Sequence, residues 1–425
     1  MSKTSELIAR REAAVTTAVA HVHPIFAERA KNAEIWDVDG KRYIDFSSGI
    51  GVVNTGHLHP KIKAAAVAQL DKLSHSCFHV AMYEEYVKLA ERLNKIVPGD
   101  SKKKTLLINS GAEAIENAIK VARKYTGHTG VIAFNGGFHG RTLLTMSLTG
   151  RVVPYKAGFG PFAPEIFHAP FPNELHGVSV EDALEGLEQL FKSDIEKERV
   201  AAFIIEPVQG EGGFYPTPPE FLQALRKIAD ENGIVLILDE IQTGFGRSGK
   251  MFATEHAGIE PDLIAMAKGL AGGFPLSALV GKAEILDASP PASLGGTYGG
   301  NPISCATANA VLDIMEEENI PQRAAGLGEH MLKRLNKMAQ KYKFIGDVRG
   351  LGSLVAIELF EDGDIKKPAS EKAAKLQVCA REKGLILLSC GANGNVVRFL
   401  PPLTIEQEVL DQGLDIIEEC LELIC

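Results

Sequence analysis

The 425-residue sequence lacks a long apolar run. No segment approaches the roughly 18 consecutive apolar residues that a membrane-spanning helix requires, so the sequence predicts no membrane partner. The N-terminal segment MSKTSELIARREAAV alternates polar, charged and apolar side chains, whereas a secretory signal peptide needs an uninterrupted apolar core. We therefore expect a cytoplasmic protein.

Long basic segments are also missing. The longest basic run is the KKK of residues 102–104, and the formal net charge of the chain is −9. Nucleic-acid-binding domains carry clusters of lysine and arginine that neutralise phosphates. The charge pattern therefore predicts a mildly acidic surface and no nucleic-acid partner.

Cysteine is scarce and scattered, with six residues in the whole chain. None belongs to a CxxC pair, so the sequence predicts neither a disulfide framework nor a zinc ribbon. We expect buried or inert thiols in a reducing compartment. The HxH pairs His21/His23 and His57/His59 offer two ligands each, whereas a zinc ion needs at least a third, so no metal is expected.

The chain does contain short apolar runs that alternate with helical patterns. Near-continuous hydrophobicity in short runs is typical of parallel strands that helices cover on both faces. The alternation predicts an α/β fold with a mostly parallel sheet. The predicted strands are residues 105–109, 130–134, 200–205, 234–238 and 263–267.

Two of the intervening helices carry further signals. Thr217 and Glu220 have the spacing of a capping box before the helix that follows them, and Gly233 is placed to end that helix. An earlier helix, within residues 112–125, is predicted to turn one apolar face to the core. The residues of that face are Ile115, Ala118, Ile119, Ala122 and Tyr125.

The pattern changes after about residue 309, which indicates a second domain. Long helical segments there lead to VRGLGSLVAIELF, which resembles an antiparallel strand pair. Residues 36–46 suit a hairpin with Asp-Gly at its turn. We predict a large domain of residues 61–309 and a smaller α+β domain formed by residues 1–60 and 310–425.

Chemically distinctive residues follow the predicted strands, where ligands of open α/β sheets bind. The small residues Ser110, Gly111 and Ala112 begin a helix and would offer N–H groups to a phosphate, although such turns are often only tight connections. Asp239 is either a turn cap or a catalytic acid. Lys268 is the one charge in the apolar run LIAMAKGLAGGFPL, either reaching solvent from a strand end or serving catalysis.

The combination of these groups favours a site for pyridoxal phosphate. This cofactor needs a phosphate cradle, a lysine amine to react with its aldehyde, and an acid to keep its ring cationic. A competing motif, GxxxxGK from Gly244 to Lys250, follows a strand as a nucleotide-binding P-loop would. Met251 stands where a P-loop needs Ser or Thr to hold magnesium, so we do not expect ATP binding.

The motifs NSGAEAIENAIKVAR, FHGRT, IIEPVQGEGG, ILDEIQTGFGRSGKMFA, MAKGLAGGFPL and GGTYGGNP occur in this order. Together they resemble the class III, or ω-, aminotransferases of pyridoxal-phosphate fold type I, and the similarity covers nearly the whole chain. The resemblance is closest to bacterial members that act on 4-aminobutyrate. It implies transfer of an amino group from 4-aminobutyrate to 2-oxoglutarate by a dimer, with a tetramer as an alternative.

The resemblance also implies roles for single residues. Lys268 would bind the cofactor and shuttle a proton, and Asp239 would pair with the ring nitrogen. Phe138 would stack on the ring, and Gln242 would contact its hydroxyl. The cofactor-binding set is Ser110, Gly111, Ala112, Phe138, His139, Glu206, Asp239, Ile241, Gln242, Lys268 and Thr297, with Thr297 supplied by the partner subunit.

Two arginines are implied to bind the substrates. Arg141 would hold the distal carboxylate, and Arg398 the α-carboxylate of glutamate or 2-oxoglutarate. Because a buried unpaired guanidinium is costly, Glu211 would pair with Arg398 when 4-aminobutyrate is bound. Ile50 matches an apolar position of the substrate channel and cannot pair a second amino group, which argues against ornithine. Related donors, namely 5-aminovalerate, acetylornithine or polyamine-derived ω-amino acids, remain the alternative.

Overall fold

The computed structural model describes residues 2–425, so Met1, the first residue of the predicted small domain, lies outside the described range. The strands are β1 (Ala27–Lys31), β2 (Glu34–Asp37), β3 (Arg42–Asp45), β4 (Lys103–Ile108), β5 (Gly130–Phe134), β6 (Ile166–Ala169), β7 (Val200–Ile205), β8 (Val208–Gln209), β9 (Tyr215–Pro216), β10 (Val235–Asp239), β11 (Leu263–Met266), β12 (Ser277–Lys282), β13 (Ile345–Leu351), β14 (Leu354–Leu359), β15 (Leu385–Ile386), β16 (Leu388–Cys390) and β17 (Val396–Phe399).

The α-helices alternate with these strands in the first part of the chain and cluster near its end. They are α1 (Lys3–Ala14), α2 (Ser48–Gly51), α3 (Pro60–Leu70), α4 (Glu84–Ile96), α5 (Gly111–Thr126), α6 (Leu143–Leu148), α7 (Val180–Ser193), α8 (Gly210–Gly213), α9 (Pro219–Asn232), α10 (Ala283–Leu286), α11 (Pro302–Glu317), α12 (Ile320–Lys341), α13 (Ser370–Glu382) and α14 (Gln407–Leu423).

The large sheet has the strand order β4-β12-β11-β10-β7-β5-β6. All strands except β12 run in one direction, which confirms the predicted α/β fold and the five predicted strands. Alternate side chains of β7 and β10 enter two different apolar cores, one on each face of the sheet. Burial on both faces explains why these strands read as unbroken apolar runs. The other two strands of the sheet, β6 and β12, were not predicted, and β12 follows the glycine-rich run directly.

Two details of the helix predictions are wrong. In α5 the predicted face is buried except for Tyr125, which is 44% exposed because it lies in the last turn beside the C-cap Gly127. The capping box of α9 does not form, because the Thr217 hydroxyl donates instead to the Glu206 backbone oxygen at 2.8 Å. The end of α9 is confirmed, since Gly233 adopts a left-handed conformation there.

A second apolar core lies between α12, α13, α14 and two smaller sheets. The sheet β13-β14-β17-β16 is antiparallel and includes the strand pair predicted from VRGLGSLVAIELF. The predicted hairpin is confirmed as β2 and β3, with Gly40 at a φ of 87° in the turn. The division of domains at residues 60 and 310 stays a prediction. Helix α11 crosses residue 310 while packing in the core of the large sheet.

The prediction of unlinked thiols is wrong for two cysteines. Cys379 of α13 and Cys420 of α14 form a disulfide, with their Cα atoms 5.8 Å apart. They are 41 residues apart in sequence, and only the packing of the two helices brings them together. Sequence spacing alone could not reveal this pair. Separately, residues 2–425 include no helix of the length and apolar character needed to cross a membrane.

Candidate active site

A cavity of about 350 Å³ opens where the carboxyl ends of the parallel strands meet. The residues that follow β4, β5, β7, β10 and β11 all reach its wall, because the ends of parallel strands share one edge of the sheet. The predicted site residues in the wall are Ser110, Gly111, Ala112, Phe138, His139, Glu206, Glu211, Asp239, Ile241, Gln242 and Lys268.

The start of α5 forms one side of the cavity and presents free backbone donors. The Ser110 side chain accepts from the Glu113 N–H, and the Glu113 carboxylate accepts from the Ser110 N–H at 2.9 Å. This capping box leaves the N–H groups of Gly111 and Ala112 without an acceptor among the described residues. Free N–H groups at a helix start, together with the helix dipole, bind anions such as phosphate.

Asp239, the last residue of β10, is buried and tightly held. It accepts a hydrogen bond from the Ile241 N–H at 3.1 Å and lies 2.8 Å from the Nδ1 atom of His139. Burial alone would lower the pKa of His139, but the hydrogen bond to Asp239 and its negative charge raise it. The pair places the Asp239 carboxyl group and the His139 ring together in the wall of the cavity.

Glu206 fixes the loops on both sides of the cavity. Its carboxylate accepts from the Phe138 N–H at 2.8 Å and from the Gly210 N–H at 2.9 Å. Burial raises the pKa of Glu206 to about 7. The contacts hold the Phe138 loop and the turn that begins at Gly210 at a constant separation.

Lys268 enters the cavity directly after β11, in a short 3-10 turn with a φ of 42°. A positive φ is unusual for a residue with a side chain and is found most often at functional positions. Burial lowers the pKa of its amine to about 8, and the positive charge of Arg398 contributes in the same direction. A sizeable share of this amine is therefore neutral near physiological pH and able to act as a base or nucleophile.

Arg398 comes from β17 of the second core and does not line the cavity itself, but it contacts Glu211, which does. Its Nη1 atom donates to the Glu211 Oε1 atom at 2.6 Å, while its buried Nε atom has no partner among the described residues. Burial alone would raise the pKa of Glu211, but the charge and hydrogen bond of Arg398 lower it. The ion pair connects β17 of the antiparallel sheet to the turn after β8, and a spare guanidinium N–H remains for another acceptor.

Gln242 lies in the cavity wall, whereas Ile50, Arg141 and Thr297 do not line the cavity. The Gln242 Oε1 atom is buried at the cavity wall without a partner in residues 2–425. Ile50 is 46% exposed, with a φ of 67°. Arg141 is exposed and lies over the ring of Tyr155 at 5.4 Å. Thr297 is exposed and does not border the cavity of its own chain within the described range.

Sequence reasoning missed two parts of the site. Tyr155 contacts Glu211 and Phe138 from a loop that has no recognisable pattern. Residues 273–276 also line the cavity. Their signal was present, since they continue the glycine-rich run that begins at Lys268.

The rejected P-loop motif has a structural role. Arg247 is buried and donates to the Pro401 oxygen at 2.6 Å and to the Asn54 Oδ1 atom at 2.8 Å. The segment thus ties the large sheet to the chain near β17. The histidines of the HxH pairs contact separate partners, with His57 beside Asp45 and His59 at the start of α3.

The chain is similar to known proteins along nearly its whole length. A family model for class III aminotransferases matches residues 15–421. The chain is 57% identical over 423 residues to the 5-aminovalerate aminotransferase DavT of Pseudomonas aeruginosa, covering 99% of each protein. It is 53% identical over 422 residues to the 4-aminobutyrate aminotransferase GabT of Escherichia coli, again covering 99% of each. A solved aminotransferase of Bacillus anthracis is similar with a TM-score of 0.92 and 32% identity, covering 99% of both chains.

Proposed function

The chain belongs to the class III aminotransferases, and we propose that it transfers the amino group of 4-aminobutyrate to 2-oxoglutarate, giving succinate semialdehyde and glutamate. The observation that carries this proposal is the ion pair of Arg398 with Glu211 beside Lys268. An arginine that can be either neutralised or released suits an enzyme whose two substrates differ by one carboxylate.

The cavity residues fit pyridoxal phosphate. The N–H groups of Gly111 and Ala112 would bind its phosphate, and the unpartnered Oε1 atom of Gln242 would accept from its ring hydroxyl. Asp239 would face the ring nitrogen, and Lys268 would hold the aldehyde carbon. When bound, the cofactor supplies a carbonyl group that accepts the amine and a ring that withdraws electrons from the substrate carbon.

Lys268 is proposed to move the proton that the reaction requires. Its amine is held by burial at a pKa of about 8, so it can take a proton from the substrate carbon and return one nearby. Asp239 places a carboxyl group in the wall of the site, and Glu206 connects the loops around it. The protein's own contribution is therefore the position of one base and the charge around it.

Each of the two arginines is proposed to bind a different carboxylate group of the substrates. Arg141 binds the distal carboxylate of either substrate, and its exposed position leaves the guanidinium free for this contact. Arg398 binds the second carboxylate of 2-oxoglutarate after Glu211 has moved away. With 4-aminobutyrate, Glu211 stays on Arg398, so that no buried charge is left unpaired.

A second candidate donor is 5-aminovalerate. A relative with 57% identity carries that activity in its name, against 53% for the 4-aminobutyrate relative. The two donors differ by one methylene, which a pocket discriminates by only about 1–3 kcal/mol. If Ile50 borders the substrate channel as the resemblance implies, its apolar side chain favours donors without a second amino group. We further propose a cytoplasmic homodimer as the working form.

A panel of donors tests the proposal. Purified protein with pyridoxal phosphate and 2-oxoglutarate is assayed for glutamate formed from 4-aminobutyrate, 5-aminovalerate, N-acetylornithine and ornithine. We expect the highest kcat/KM with 4-aminobutyrate, lower values with 5-aminovalerate and little turnover of ornithine. A Lys268→Ala variant serves as the inactive control. A higher kcat/KM for 5-aminovalerate would reassign the donor, and no glutamate from any donor would refute the function.

A further inference from the structure

Tyr155 occupies a central position beside the proposed substrate site. It lies in the loop between α6 and β6 and is 8% exposed. Its hydroxyl is 3.2 Å from the Glu211 Oε2 atom, and its ring centroid is 4.8 Å from that of Phe138. The guanidinium carbon of Arg141 lies 5.4 Å from the centroid of the Tyr155 ring. One side chain thus contacts groups from both proposed carboxylate sites.

Glu211 is held through both carboxylate oxygens and through its backbone. Oε1 accepts from Arg398, and Oε2 accepts from Tyr155. The Glu211 backbone oxygen accepts from the Gly391 N–H at 3.0 Å, and the nearby Gly213 oxygen accepts from the Arg349 Nε atom at 2.9 Å. Because the backbone is anchored at two points, the side chain is the part of this turn that can move.

We propose that Tyr155 is a positioning residue that holds Glu211 on Arg398 and so sets the balance between substrates with one carboxylate and substrates with two. This inference rests on the proposed function, in which Glu211 leaves Arg398 only when a dicarboxylate binds. The Tyr155 hydrogen bond stabilises the closed pair. Its loss would make the pair easier to open.

The electrostatics of the loop agree with a donating hydroxyl. Burial and the charge of Glu211 raise the pKa of Tyr155, so the hydroxyl keeps its proton at neutral pH. A hydroxyl donating to a carboxylate is a charge-assisted hydrogen bond, stronger than one between neutral groups. Phenylalanine at this position would keep the ring packing against Phe138 and remove only the hydrogen bond.

The test compares the two half-reactions of the Tyr155→Phe holoenzyme with those of the wild type in single-turnover measurements. We expect the second-order rate constant of the half-reaction with 4-aminobutyrate to fall about tenfold relative to that of the half-reaction with 2-oxoglutarate. Tyr125→Phe, at an exposed position of α5, is the matched control and should leave the ratio unchanged. Calorimetric binding of glutarate and butyrate to the holoenzyme gives a readout independent of turnover, and glutarate should gain relative to butyrate.

Each outcome decides the proposal. An unchanged ratio in both measurements overturns it, and equal losses in both half-reactions overturn it too, because they indicate a general effect on packing. If the wild type transfers no amino group from any donor, the proposed function fails. The glutarate-to-butyrate binding ratio then still tests whether Tyr155 holds the ion pair.

Discussion

Lys268 combines two properties that rarely occur together, an ionisable amine and a buried position next to a strand end. Desolvation disfavours the charged ammonium, and the pKa falls from 10.5 to about 8. The nearby carboxylate of Glu211 works against this shift, but burial outweighs it. The amine is therefore reactive at the expense of stability, as expected of a functional residue.

Because burial of the Lys268 ammonium lowers stability, we predict that the Lys268→Met substitution changes the free energy of unfolding of the cofactor-free protein by an amount that depends on pH. Between about pH 8 and 10.5 the unfolded chain holds a proton on Lys268 that the folded chain has lost, so this group makes stability rise with pH. Below pH 8 the penalty is complete. We expect the variant to have a free energy of unfolding about 1–3 kcal/mol above the wild type at pH 7.

Urea unfolding of both cofactor-free proteins at several values between pH 7 and 10 measures this difference. The advantage of the variant should shrink as the pH rises above about 8, because the folded wild type then loses the proton of the buried Lys268 while the unfolded chain still holds it. Lys104→Met, at an exposed position on β4, is the control and should show no such trend. A difference that does not vary with pH would contradict the assigned cause.

At the scale of elements, the start of α5 depends on glycine. A methyl group on Gly111 would come within 2.8 Å of the Ile241 Cδ1 atom, so either the helix start or Ile241 must shift. Both border the cavity. We expect Gly111→Ala to weaken pyridoxal-phosphate binding about tenfold or more, since overpacking typically costs 1–3 kcal/mol.

Fluorescence titration of cofactor-free protein with pyridoxal phosphate measures this effect. Gly326→Ala is a suitable control because Gly326 lies in α12 with open space around the position of a Cβ atom. That variant should bind the cofactor as the wild type does. Equal affinities for Gly111→Ala and the wild type would show that the helix start is not part of the cradle.

Some elements of the fold could be predicted from the sequence, and others could not. Five strands of the large sheet were predictable because burial on both faces makes them apolar runs, and their order in the chain placed Asp239 and Lys268 at one edge. The Thr217 capping box failed because a competing acceptor, the Glu206 oxygen, comes from another segment. Cys379 and Tyr155 likewise act through contacts with residues distant in sequence, which no local pattern encodes.

At the scale of the whole molecule, the site combines residues from two apolar cores. Lys268 and Asp239 come from the large sheet, whereas Arg398 comes from the antiparallel sheet of the second core. Their approach places the ion pair with Glu211 where the two parts meet. We therefore expect a change that loosens this junction to affect the proposed binding of the second carboxylate by Arg398 before it affects the proposed proton transfer by Lys268.

The position of Thr297 bears on the assembly of two subunits into a dimer. It is exposed and does not line the cavity formed by residues 2–425 of its own chain, so its predicted contact with the cofactor needs a second subunit. If each site combines Lys268 of one chain with Thr297 of the partner subunit, two defective variants can complement each other. A hybrid dimer of Lys268→Ala and Thr297→Ala chains contains one site with both intact residues.

Co-expression of the two variants with different affinity tags tests this prediction at a limiting concentration of pyridoxal phosphate. Each homodimer should be weakly active or inactive. Random assortment makes half of the dimers hybrids, each with one intact site, so the mixture should recover up to about a quarter of wild-type activity. Doubly tagged hybrids should carry most of that activity. Purified hybrids no more active than the Thr297→Ala homodimer would show that Thr297 serves its own chain or no site, because only a contact between subunits can restore the missing pair.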